Sequence, residues 1–327
     1  MLRRHASLAF SAAIAFVLVA TGDACAQPYP NKLIRIVAPF PPGGPTDGAA
    51  RLIADRLSTL FGQTVVVENR PGGAGGTIGV KSAASADPDG YTILFTPPGP
   101  LVTAPAIFRN VGYDPMKAFA PVAAVFSSPQ ILVVNPGVPA KSMQELVAYA
   151  KANPRKVSYA SPGFSTQPHL LGEMLKLMTG ADIVHVPYKG SAPVLTDLIA
   201  GQVQMYFDAA SFLLPHVESG KLRVLAVADE RRLPQLPDTP TTVEAGFGKL
   251  QASYWVGILV PAGTPSAIVD RLNVAINEVM TSKAMEETLT KLTARARPGS
   301  PADFAAFMAA ESRKWSETIS AANIRAD

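Results

Sequence analysis

Short β-branched runs and helical apolar stripes alternate along nearly the whole chain. Leu33 to Ala38 is a run of buried-strand type, and Ala50, Ile53, Leu57 and Leu60 follow at helical spacing until Gly62 ends the stripe. Further strand runs fall at 65–68, 92–96, 122–126, 131–134, 157–161, 183–188, 205–208, 222–228 and 254–260. Between them, Ser142 with Glu145 and Ser300 with Asp303 have capping-box spacing, and Pro265 opens a stripe of Ile268, Leu272, Ile276 and Met280. This order of elements predicts an α/β layered fold. Residues 120–135 read as two extended segments broken at Ser127-Ser128-Pro129, and 233–248 are rich in Pro, Thr and Gly before strand 254–260 returns. Two such crossings predict one lobe built from residues 27–125 and 252–327, enclosing a second lobe of 126–251 across a twice-crossed hinge.

Two strand-to-helix turns carry the candidate chemistry. The first is Pro39-Phe40-Pro41-Pro42-Gly43-Gly44-Pro45-Thr46-Asp47. It ends at a helix start, where backbone N–H groups lack intrahelical acceptors and the helix dipole is positive, so it offers fixed donors to an anion. Gly43 and Gly44 allow close backbone approach, and Thr46 or Asp47 can cap the helix. A tight connection with no ligand fits the same residues. The second turn, Ser161-Pro162-Gly163-Phe164-Ser165-Thr166, precedes a helix through His169, Leu170, Met174 and Leu177. Ser161, Ser165 and Thr166 either cap that helix or donate to a ligand, and His169 in its first turn is read first as a structural histidine bonding a nearby carbonyl. Facing each other from separate lobes, the two helix starts can grip a small organic anion. Gly75, in the glycine-rich loop 69–79, and Thr96, ending strand 92–96, join the candidate set. Asp208 ends an apolar strand, where it either points into the cleft or caps the next turn.

The N-terminus adds a compartment. Arg3 and Arg4 precede the apolar run 8–20, and Ala24-Cys25-Ala26 offers a cleavage site, so residues 1–26 read as a signal peptide removed after Ala26. Soluble export is favoured over a membrane anchor or lipid attachment at Cys25. Cleavage would remove Cys25, the only cysteine, and lower the formal charge of +4 by one. Lysines and arginines are scattered singly, which argues against nucleic acid. Loop 69–79 fails the dinucleotide fingerprint because Ile78 stands where its last glycine belongs, and no GxxxxGK, GxSxG or HExxH occurs. No cofactor, metal or catalytic residue is expected.

Several longer segments then match one family in order: YPNKLIRIVAPFPPGGPTDGAAR at 29–51, VVVENRPGGAGGTIG at 65–79, YASPGFSTQPHLLGEM at 159–174, HVPYKGSAPVLTDLIAGQVQMYFD at 185–208 and WVGILVPAGTP at 255–265. The chain resembles the Bug, or TctC-like, solute-binding proteins of tripartite tricarboxylate transporters. That resemblance implies a two-lobed, type II Venus-flytrap periplasmic-binding-protein fold. It further implies a small carboxylate (di- or tricarboxylate, acidic amino acid or aromatic acid) held by the loops matching Phe40, Pro42, Gly43, Gly44, Thr46 and Asp47 and Ser161 to Thr166, with Asp208 near the cleft. The ligand would pass from a monomeric receptor to the transporter's inner-membrane permease subunits; a sensory role beside a two-component sensor kinase is the alternative, and a secreted α/β hydrolase is disfavoured. The family commonly has glycine where Ser165 stands, so a left-handed backbone there would be strained. Bulky Phe164 is expected to pack on the ligand.

Overall fold

The computed structural model describes residues 29–324. The expected leader, 1–26, lies outside the described residues. Apart from Tyr29, Pro30 and Asn31, which belong to a separate N-terminal unit, every described residue belongs to the unit that begins at Lys32. Its elements are β1 (Ile34–Ala38), α1 (Pro45–Phe61), β2 (Val65–Asn69), α2 (Thr77–Ala84), β3 (Thr92–Thr96), α3 (Ala104–Ile107), α4 (Pro115–Ala118), β4 (Phe119–Val134), α5 (Met143–Ala152), β5 (Ser158–Ser161) and α6 (Gln167–Thr179). They continue as β6 (Val184–Pro187), α7 (Ser191–Ile199), β7 (Met205–Ala209), α8 (Ala210–Glu218), β8 (Arg223–Val227), β9 (Ser253–Pro261), α9 (Ser266–Thr281), α10 (Lys283–Lys291), β10 (Arg295–Ala296) and α11 (Pro301–Ala321).

The strands run in the order β2-β1-β3-β9-β4-β7-β5-β6, with β8 and β10 also paired to β4. Parallel pairs β1–β2, β1–β3, β5–β6 and β5–β7 flank antiparallel pairs that all involve β4 or β9. The fold is therefore mixed α/β, as expected. Strand β4 runs 16 residues without a break. Its first part pairs with β9, as far as Pro129 opposite Ser253, and residues 130–134 pair with β7 and β8. The expected interruption at Ser127-Ser128-Pro129 does not occur. Pro129 has no N–H to donate, but it stands where the strand changes partners, and Gln130 resumes the ladder by donating to Ala252 O at 3.1 Å. Strand-to-helix turns following β1 and β5 open at the ends of parallel strands, the usual place for a ligand site in an α/β sheet.

Local signals account for most helix ends. Ser300 and Asp303 form a reciprocal capping box at α11. At α5 only half of the expected box forms: Ser142 Oγ accepts from Glu145 N, while the Glu145 carboxylate takes the Lys141 N–H at 2.7 Å. Helix α8 had no sequence signal, because Pro215 lies inside it. No helix among the described residues is long and apolar enough to cross a membrane.

Candidate functional site

The first turn closes onto α1 with glycine, not a hydroxyl, at its cap. Gly44 is the N-cap and Pro45 the first helical residue, with no side-chain cap. This corrects the expected capping by Thr46 or Asp47. Thr46 Oγ1 lies 3.0 Å from Tyr254 Oη. Asp47 turns back on the loop: its carboxylate accepts from Gly43 N at 3.0 Å and Asn69 Nδ2 at 2.9 Å and pairs with Arg51. Burial raises the Asp47 proton affinity, but these donors outweigh it and hold the carboxyl below the ordinary range. Asn69 also donates to Phe40 O at 3.0 Å, so the acid and the amide staple the turn. Since Pro45 lacks an N–H, the first-turn donors of α1 are those of Thr46 and Asp47.

The second turn leads into α6. Thr166 is the N-cap, yet its hydroxyl donates to Gly163 O at 2.7 Å and caps no N–H. Ser165 adopts φ 64°, the left-handed conformation anticipated as strained for a non-glycine residue. Its carbonyl accepts from Thr103 Oγ1, and its own hydroxyl is buried without a partner. Ser161 does not line the smaller cavity; its Oγ lies 2.7 Å from His185 Nε2 and accepts from Gly163 N at 3.3 Å within the turn.

Between the two turns lies a small cavity of about 40 Å³. That space suits a compact solute or a few waters. Gly44, Pro45 and Thr46 of the first helix start and Thr166, Gln167 and Pro168 of the second line it together, with Phe40, Pro41, Pro97, Pro98, Gly99, Pro162, Ser191, Gln130, Asp208 and Tyr254. No basic side chain lines it among the described residues. Asp208, 2 % exposed, accepts from Ala209 N at 2.8 Å and from Tyr206 Oη. Burial outweighs these donors and raises its proton affinity.

Of the residues expected from sequence, the structure brings Phe40, Gly44, Thr46, Thr166 and Asp208 to this cavity. Pro42 and Gly43 stay on the exposed side of the turn, Asp47 sits behind it, and Thr96 is buried at the strand end with Oγ1 on Pro97 O at 3.2 Å. Gly75, Gly163 and Phe164 border a second, wider cavity of about 610 Å³, which shares Phe40, Pro41 and Pro162 with the first. Phe164 packs its edge on His169 and His185, at 5.4 and 5.2 Å between ring centres, and not on the smaller cavity.

His169 lies behind the turn, with Nδ1 unpartnered instead of bonding a carbonyl, and its ring 4.5 Å from that of His185. Burial lowers the His169 pKa to about 4, against a smaller opposing effect of Glu173. Burial, then His169, lowers that of His185 to about 3. Both folded values lie below the unfolded value, so the unfolded chain binds protons first as pH falls. Stability should be whole above about pH 6.5 and decline from there towards pH 4, by about 2 kcal/mol at pH 5 for His169 alone. Melting curves at pH 7 and pH 5 check this. A His169→Phe variant should lose much of the difference.

Sequence reasoning missed Gln130, Gln167 and Tyr254. A polar residue directly before the apolar run 131–134 was the available signal for Gln130, and its place in the first helical turn was the signal for Gln167.

Residues 49–324 match the model of the tripartite tricarboxylate transporter family receptor. The chain belongs to that receptor family. It is similar to protein BugT of Bordetella pertussis, 37% identical over 295 residues that make up 90% of each chain. Among solved structures, Rpa4515 of R. palustris with adipate superposes with TM-score 0.88 at 37% identity, covering 91% of this chain and 99% of that one. MatC of Rhodopseudomonas palustris with bound malate gives 0.84 at 32% identity, over 89% of this chain and 100% of that one. Receptors of this family are periplasmic solute-binding proteins that work with tripartite transporters, and not enzymes. The structure of this receptor matches theirs along nearly its full described length.

Proposed function

We propose that this receptor captures a small organic carboxylate in the cavity between the starts of α1 and α6 and hands it to the permease of a tripartite tricarboxylate transporter. The supporting observation is that both helix starts line one small cavity. Neither brings a basic side chain, so the anion is met by N–H groups and helix dipoles, each dipole contributing up to about 2 kcal/mol in a partly buried setting. Adipate and malate in the similar solved proteins have the chemistry such a site takes. In this reading the lobes are residues 27–125 with 252–327 and residues 126–251, a division supported by the strand order, in which β1, β2, β3 and β9 neighbour one another on one side of β4 and β5, β6 and β7 on the other, with β4 and the stretch before β9 as the hinge. Export would follow cleavage near Ala26.

A ligand that binds only the folded, closed protein raises its apparent stability, by about 2.7 kcal/mol at a hundred times its Kd. Melting the purified mature protein with di- and tricarboxylates, acidic amino acids and aromatic acids should give a clear rise with at least one of them. Flat melting temperatures across the panel would refute the reading.

A further inference from the structure

Two buried amides inside the cavity are only half satisfied. Gln130 and Gln167 are 0 % and 3 % exposed, and Gln130 Nε2 donates to Gln167 Oε1 at 2.8 Å. The other atom of each amide, Gln130 Oε1 and Gln167 Nε2, has no partner although both residues line the cavity. Turning both amides over exchanges the two roles and still leaves one free acceptor and one free donor. Buried polar atoms are ordinarily paired, and those left unpaired at a ligand cavity are matched by the ligand. A plain carboxylate only accepts, so it can satisfy the donor directly but leaves the acceptor unpaired unless a water is immobilised beside it. Asp208 lines the same cavity and is likewise an acceptor when ionised. The polar floor therefore asks its occupant for a donor as well as an acceptor.

We infer that the site selects carboxylates that carry a hydrogen-bond donor beside the acid group, a hydroxyl or an ammonium, read by the Gln130–Gln167 pair and Asp208. The inference rests on the cavity being the solute site. Hydroxy acids and amino acids share that donor and differ in charge. Asp208 separates them, since an ammonium gains from the carboxylate by charge whereas a hydroxyl gains only a hydrogen bond.

Calorimetric titration of the mature protein with matched acids of three, four and five carbons tests it: propionate, lactate and alanine; succinate, malate and aspartate; glutarate, 2-hydroxyglutarate and glutamate; with adipate added. In the chain length that fits, the hydroxy or amino acid should bind at least about tenfold more tightly than the plain acid, the scale of leaving one buried acceptor unpaired. Replacing both amides with the similarly shaped methionine, Gln130→Met with Gln167→Met, should shrink that ratio to within about threefold, since no orphan acceptor then remains. If the amino acid is the tighter ligand, Asp208→Asn should weaken it at least about tenfold and lower the ratio of hydroxy to plain acid much less, since the hydroxyl loses only part of a hydrogen bond. Wild-type preference alone decides the matter should the double variant not fold. Plain acids binding as tightly as their donor-bearing counterparts, or adipate binding as tightly as the best of the hydroxy and amino acids, overturn this inference and leave the solute-binding reading standing. Failure of every acid to bind overturns both.

Discussion

Replacing Gly75 with valine should reduce ligand affinity at least about a hundredfold while lowering the melting temperature of the ligand-free protein only slightly. Gly75 has φ 63°, and a Cβ there would stand 2.5 Å from Ser165 Oγ and 2.7 Å from Phe164 O. The second of those atoms is backbone, so the turn as a whole must retreat. Thr103 holds the same turn through the Ser165 carbonyl, and Gly99 also lies against it. These contacts join residues 75–103 to residues 163–166, segments assigned above to different lobes. On the proposed two-lobe reading these contacts form on closure, and a side chain at Gly75 would prop the hinge open without disturbing either core. Gly62→Val supplies the control, because Gly62 has φ 62° with nothing near its Cβ position and so carries the backbone strain alone. Its affinity should match wild type. A Gly75→Val protein that binds normally would show that the two turns need not meet. One that melts far lower without ligand would show that they form a rigid core and not a closing surface.

The second large effect concerns the support of α6. A Cβ at Gly172 would lie 2.2 Å from Tyr159 Cε2 and 2.6 Å from its Cζ, inside a ring that is itself buried. Tyr159 cannot yield easily: its hydroxyl donates to Glu173 at 2.5 Å and its ring stacks on His185 at 4.7 Å. Gly172→Val must therefore push α6 off the sheet, and the helix start that carries Thr166 and Gln167 moves with it. We expect a loss of about 3 kcal/mol, or about 6–12 °C in melting temperature, together with weaker ligand binding. Circular dichroism melts measure the first and calorimetry the second. Combining it with Tyr159→Ala should cost less than the two changes separately, since the ring that the valine strikes is gone. Unchanged melting of the single variant would mean that the helix is not seated as described.

What the sequence makes legible is governed by the range of the forces involved. Strands β1 and β3 could be read because they are short, mostly buried runs rich in β-branched residues, and both candidate turns because glycine, proline and helix stripes are local signals. Strand β4 could not be read as one piece, since its continuity through Pro129 depends on β9, more than a hundred residues away, taking up the ladder where the proline donates nothing. The role of Asp47 was hidden for the same reason. Its nearest partners include Asn69 on β2, and a carboxylate read as part of the grip proves to be what holds the turn in shape. Tyr254 enters the site from β9 and meets Thr46 across 208 positions of sequence, which no spacing rule can anticipate. The left-handed backbone at Ser165 was foreseen only through the glycine common there in the family, and no local signal in this chain marks it.

The most direct measurement is the structure of the mature protein crystallised with whichever acid raises its melting temperature most. The expected result is one carboxylate of that acid in the cavity between the starts of α1 and α6, with oxygens at about 2.7–3.2 Å from first-turn N–H groups. An acid bound elsewhere on the protein, or in that cavity with its carboxylate turned away from both helix starts, would contradict the account.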